Sequence, residues 1–148
     1  LHFAAEHAAR ARAELVVERL GRLQRTAARL SAALDVAATA RVAVEEARAA
    51  LGADAAYVVR LDPDAPMLEM LHADGYPAHL ADDYGRFPLR ERVPSADVVR
   101  DGQALWLDTA TESLARYAHL VGSPIGGMYQ ASATLPLVLG GTPVGALG

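Results

Sequence analysis

The sequence predicts an α+β fold, a central antiparallel sheet with long helices on one face and short helices and loops on the other. Three observations carry that expectation. Residues 131–148, ASATLPLVLGGTPVGALG, read as a hairpin: 134–139 is apolar at nearly every position, as in a strand covered on both faces, and Gly140-Gly141 offers the positive φ angles of a two-residue turn. A second hairpin is expected across the turn DPDAP at 62–66. Before the first hairpin the apolar residues follow helical spacing, and short helical pieces fill the span between the two hairpins, a grouping typical of α+β layers.

The 148 residues are 52% hydrophobic and 22% charged, enough for one domain with a real core. Fourteen basic residues, all arginine, stand against 18 acidic ones, and the net charge of -4 gives no electrostatic case for nucleic acid or an anionic membrane. Alanine and arginine bias points to a GC-rich bacterial coding sequence. Without cysteine there are no disulfides, thiol nucleophiles, thiolate metal sites or thioether-linked cofactors. No apolar run approaches the ~20 residues of a membrane span and no signal core opens the chain, so a cytoplasmic location is expected. The opening on Leu1 within a helical pattern and the close on Gly148 within a strand pattern are those of an excerpt from something longer.

Taken in order, small and apolar residues recur at spacings of four and three from Ala9 to Ala37, including Val16, Leu20, Leu23, Ala27, Leu30 and Leu34. At ~1.5 Å per residue, a helix over this seam spans ~40 Å. Two readings stand: one long helix packed on its own sheet, or a parallel dimer helix that also transmits a signal, favoured because the repeat persists through four heptads. Asp35 is placed as N-cap of a second helix from Val36 to about Leu51, closed by Gly52, with the joint somewhere in 31–35.

The first strand covers 55–61, where Tyr57, Val59 and Leu61 alternate with Ala56, Val58 and Arg60; the second covers 68–73. Pro77, Leu80 and Tyr84 describe a helix of about two turns, and Phe87-Pro88-Leu89 is extended. Ser95 is expected to cap a short helix that ends at Gly102. The third strand, 104–107, carries Trp106. Thr109 and Glu112 form a capping box before an apolar face of Leu114, Tyr117, Ala118 and Val121, and 123–130 is a loop into the fourth and fifth strands, 134–139 and 142–147.

The series RLQRTAARLSAALDV, LGADAAYVVRLD, LHADGYP, RFPL, VVRDGQALWLD and ATLPLVLGGTPVGALG resembles, in order and spacing, a GAF domain, of the kind that accompanies PAS, PP2C-type phosphatase or histidine kinase modules in bacterial signalling proteins. The resemblance divides the chain into an N-terminal linker and dimerisation helix, 1–34, and a sensory domain, 35–148, that lacks the helix with which such domains usually close. It implies strand order 2-1-5-4-3, with the last strand beside the first, and a small-molecule site between the sheet and residues 77–130. It further implies a homodimer, because the Leu20–Leu34 seam needs a substitute for that missing helix.

The residues narrow the ligand. A covalent bilin is excluded by the absence of cysteine, as is methionine sulfoxide reductase chemistry, and the asparagine and lysine of cyclic-nucleotide members cannot be present in a chain with neither. The candidate pocket residues are Phe87, Arg90, Trp106, Tyr117, His119, Met128 and Tyr129. Trp106 either lines the pocket or belongs to the core; Arg90 either pairs an anion or faces water. His119 has no second ligand at a recognisable spacing, which argues against haem and leaves no metal site. No catalytic residue is assigned: Asp82-Asp83 and Glu45-Glu46 point ~100° apart on a helix, Ser123 lacks a nucleophile elbow, and no phosphate-cradling or dinucleotide fingerprint occurs. The expected function is a sensor that passes its state through the N-terminal helix to an output phosphatase or kinase domain; the alternative is a ligand-free dimerisation spacer. A space packed by Trp106, Phe87, Tyr117 and Tyr129 favours the spacer, an open cavity with inward polar groups the sensor.

Overall fold

The computed structural model describes residues 2–33, 35–120, 123 and 128–148. Helix α1, His2–Ala32, is followed after a short break by α2, Val36–Leu51. Asp35 caps α2 as expected, its carboxylate accepting from the Ala38 amide at 2.7 Å, and Gly52 closes it in the left-handed conformation. The main partner of α1 is α2, against which it runs antiparallel. Thr26 donates to Glu46 at 2.8 Å, Arg29 donates to Glu45 at 2.6 Å and also to Glu46, and Arg22 reaches the Ala50 carbonyl. The remainder of α1 projects past this contact. Along the seam Val16, Leu20 and Leu23 are 63%, 55% and 66% exposed, Ala27 is exposed and Leu30 half-buried; Leu34 lies outside the described residues.

The sheet holds six strands in the order β3-β2-β1-β6-β5-β4. These are β1 Ala56–Leu61, β2 Met67–Asp74, β3 Arg86–Pro88, β4 Leu105–Leu107, β5 Ser132–Leu139 and β6 Thr142–Leu147, and each bonded pair of strands is antiparallel. The five expected strands keep the expected order. The extended FPL segment adds an edge strand, since Phe87 lies opposite Leu68 and continues the ladder. Asp62 accepts from the Asp64 amide at 2.8 Å and shapes the first turn, while Gly140 and Gly141 take φ of 56° and 84° in the second. Gly145 serves closeness instead: a β-carbon there would stand 2.3 Å from the Val59 carbonyl oxygen, so only glycine lets β6 pair this tightly with β1.

Alternation along β1 divides the core into two layers. Ala56 and Val58 pack with Ala40 and Val44 of α2 on one face; Val59 joins Leu68, Phe87 and Ala146 on the other, beneath Ala96, Val98 and Val99 of helix α4, Pro94–Asp101. Because α2 covers β1 and β2 while α4 covers β5 and β6 from the opposite side, the second hairpin is not covered on both faces. Its tip is open, with Val138 at 53% and Leu139 at 74% exposure, which corrects the expectation drawn from its continuous apolar run. Pro136 lies past the end of β4, which pairs only with residues 132–134, and a register irregularity follows between Leu137 and Val138.

Two local expectations are also corrected. Helix α4 begins at Pro94 with Val93 as its cap, and Val93 makes no side-chain capping bond, so Ser95 lies inside the first turn with its side chain buried. At the start of α5, Ala110–Arg116, the Thr109 hydroxyl accepts from the Glu112 amide at 3.1 Å, but the Glu112 carboxylate accepts from the Asp108 amide at 3.0 Å and not from that of Thr109, so only half of the expected box forms; α5 ends before Tyr117 and a 3-10 turn, Ala118–Leu120, follows. The predicted helical face therefore breaks after Leu114, and Val121 lies outside the described residues. The short helix α3, Leu80–Tyr84, forms where Leu80 and Tyr84 placed it.

Candidate functional site

Between the sheet, the end of α2 with residues 52–55, and α3, α4, α5 and residues 128–131 lies a cavity of about 510 Å³. The sheet contributes Tyr57 and Val59 of β1, Met70 of β2, Phe87 of β3 and Thr134 of β5; the opposite wall contributes Leu80, Tyr84, Ser95, Tyr117 and Tyr129. The elements place these side chains by their periods. Tyr57 and Val59 share the face that α4 covers, and Ser95 enters because Pro94 begins the helix one residue earlier.

Polar groups gather at the floor. Ser95 and Thr134, residues 4% and 3% exposed, set their hydroxyls beside the Tyr57 phenol. Burial pushes the Tyr57 pKa up, and the two hydroxyls oppose that rise by stabilising the phenolate. Among the described residues no buried side-chain polar atom lacks a partner. Gly148 backs the ring so closely that a β-carbon there would stand 2.4 Å from Tyr57 Cζ.

Aromatic rings line the remainder. Tyr57 and Tyr76 meet edge to face at 6.0 Å and 64°, and Tyr76 meets Tyr129 at 5.6 Å and 80°. Burial raises the pKa of Tyr76 and Tyr129, and the Tyr129 hydroxyl donates to the Gly75 carbonyl at 3.2 Å. Across the cavity Tyr84 stands edge to face with Phe87 at 6.3 Å. Tyr117 donates to Asp97 at 2.7 Å; burial first, and then this bond to the carboxylate, pushes its pKa up, so the phenol stays protonated.

Of the residues singled out from the sequence, Phe87, Tyr117, Met128 and Tyr129 line the cavity. Trp106 does not: it lies opposite Ala133 and is 61% exposed, whereas its neighbour Leu105 packs into the layer beneath α4 and Leu107 is buried. Strand alternation turns Trp106 to the other face, which α2 does not reach. Arg90 and His119 are exposed and absent from the cavity wall, with His119 resting edge-on against Tyr117 at 6.4 Å. Among the described residues no cluster of three or more His, Cys, Asp or Glu could hold a metal. Sequence reasoning missed Tyr57, Tyr76, Ser95 and Thr134. Tyr57 was within reach, because its alternation with Val59 already named its face, but nothing local marked the other three.

A family model described as GAF domain matches residues 33–148. The chain belongs to the GAF family. Among solved structures, this GAF domain is similar to those of phosphoenolpyruvate-protein phosphotransferases from Coxiella burnetii (TM-score 0.70, 20% identity, 86% of this chain and 74% of that one) and Acinetobacter (0.69, 16%, 88% and 75%). It is also similar to the GAF domain of nlh2 from A. aeolicus in an inactive state (0.67, 15%, 90% and 78%). At these identities the likeness shows the fold alone. No curated protein matches the sequence. The family is one of sensory and regulatory domains in signalling proteins, and among the described residues no helix is long and apolar enough to cross a membrane.

Proposed function

We propose that this GAF domain is a small-molecule sensor in a bacterial signalling protein, and that it passes the state of its cavity through a dimeric α1 to an output phosphatase or kinase domain outside this segment. The cavity carries this reading. Its 510 Å³ falls within the ~300–1,000 Å³ of ligand sites, and hydroxyls and phenols enter it where a spacer would have filled it with its own core. The alternative, a ligand-free spacer, asked Trp106, Phe87, Tyr117 and Tyr129 to pack that space; Phe87, Tyr117 and Tyr129 do line it, but Trp106 stands outside and the space between them stays open.

The route to α1 is continuous. Tyr57 and Val59 touch the cavity from β1, the alternate residues Ala56 and Val58 touch α2, and α2 holds α1 through Glu45 and Glu46. A shift of β1 on binding therefore reaches α1 through packed contacts. The exposed Val16, Leu20 and Leu23 supply a seam for a second copy in a cytoplasmic homodimer, and no catalytic role is assigned to this segment.

Native mass spectrometry of the purified domain, with a thermal-shift screen of metabolites, cyclic nucleotides and haem, tests the sensor reading. A co-purified small molecule, or a compound that raises Tm, is expected. No retained mass and no thermal response across the panel would sink the sensor in favour of the spacer.

A further inference from the structure

We infer that the cavity accepts an uncharged planar aromatic molecule bearing one hydrogen-bonding group, and discriminates against anions; the inference rests on the sensor reading. Charge comes first. Among the described lining residues none is basic, and Asp54, exposed, is the one that is charged. The arginines beside lining residues are already engaged: Arg48 with Asp74, Arg86 with Asp62, Arg100 with Asp97, and Arg116 with Asp97 and over the Tyr117 ring at 5.8 Å. An anion entering this space would leave water and find no countercharge on the wall to offset its desolvation. The N-terminus of α4 does not replace one, since Pro94 lacks the first amide and Asp97 places a carboxylate in the first turn.

The rings favour a flat apolar guest. Tyr57, Tyr76 and Tyr129 form a run of edge-to-face contacts on one side, and Tyr84 with Phe87 a second pair on the other. A planar ring seated against either group adds face or edge contacts of the kind aromatic pairs prefer. A cation gains little, because Asp54, the one charged residue among the described lining residues, is exposed to water. The Tyr57–Ser95–Thr134 cluster offers a buried polar spot on the floor suited to a single hydroxyl, amide or ring N–H, while Ser113, Gln130 and Ser132 supply uncharged polar groups elsewhere on the wall. The volume, well above the ~150 Å³ of an apolar cavity that holds benzene, admits a fused bicyclic ring with a side group.

The test uses three isosteric probes on the whole chain: a naphthamide, the matching naphthoate anion and the matching naphthamidine cation. Calorimetry is expected to give the amide at least about tenfold tighter binding than either charged probe, a gap of about 1.4 kcal/mol. Tyr76→Ala is expected to weaken the amide by roughly tenfold, while Tyr76→Phe, which keeps the ring and a folded cavity, changes it by less than about twofold. Binding of the naphthoate or naphthamidine as tightly as the amide overturns the ligand class and leaves the sensor reading standing. Failure of all three probes, where the metabolite screen does find a ligand, overturns this inference alone; failure of both experiments removes the sensor reading with it.

Discussion

Replacing Tyr57 by Phe removes one oxygen from the cavity floor and leaves the shape of the ring in place. In the native protein the hydroxyls of Ser95 and Thr134, residues 4% and 3% exposed with little water to turn to, are the hydrogen-bonding neighbours of that phenol. A net hydrogen bond contributes about 0.5–1.5 kcal/mol, and a buried donor left without its partner costs about 1–3 kcal/mol. With two donors affected but able to turn toward the cavity, Tyr57→Phe is expected to destabilise the domain by about 1–3 kcal/mol. At roughly 2–4 °C per kcal/mol for a chain of this size, Tm falls by about 2–12 °C. The decisive comparison is the triple variant Tyr57→Phe, Ser95→Ala, Thr134→Val, which makes the whole cluster apolar. Loss of all partners together is nearly neutral where loss of one is not, so the triple variant should recover most of what the single one loses. Urea denaturation with a shared m-value measures both. A neutral Tyr57→Phe, or a triple variant less stable than the single one, would refute the claim that these hydroxyls depend on one another.

Leu68→Ala, at a fully buried site between Val59 and Phe87, should cost about 2–5 kcal/mol in chemical denaturation, whereas Leu139→Ala at the open hairpin tip should cost under about 0.5 kcal/mol. Glu46 is held below the usual glutamate pKa of 4.5 by its bond from Thr26 and then by Arg29. Its folded pKa is depressed, so its hold on α1 is present above the ordinary value and lost as pH falls through the lower folded one; protection factors against hydrogen exchange in residues 22–32, taken relative to intrinsic rates at each pH, should fall on acidification below that range, and Glu46→Gln should lessen this pH dependence. A paired Leu20→Glu, Leu23→Glu change should convert a sedimenting dimer to monomer with the circular dichroism spectrum unchanged, and a wild-type chain that is already monomeric at high concentration would end the dimer proposal.

Much of the architecture was legible because its signals are local. Asp35 caps α2 through an amide three residues away and Gly52 ends it, so both ends of that helix were readable from a short window. The turn at Gly140-Gly141 needed only its own two φ angles. The fifth expected strand took its place beside the first, where the family resemblance put it, and Gly145 is the residue that permits so close a pairing. The site was less legible, and the reasons differ by residue. Ser95 carries the chemistry of a cap, yet Pro94 starts the helix earlier and sends that hydroxyl to Tyr57. Trp106 has the size of a pocket wall, but β4 presents it to the face that α2 leaves uncovered.

The sequence by itself determined periods, caps and turns, and with them the α+β class, the hairpins and the exclusion of cysteine chemistry. Each depends on a few neighbouring residues and on composition, and neither changes when the chain folds. Only the tertiary structure decided which side of each strand is covered. A strand's two faces are equivalent until a helix lands on one of them, and the landing of α2 over β1 and β2, opposite α4 over β5 and β6, is a matter of packing between distant segments. That choice opened the hairpin tip, turned Trp106 outward, and brought Tyr57, Ser95 and Thr134, far apart in the chain, onto one cavity floor.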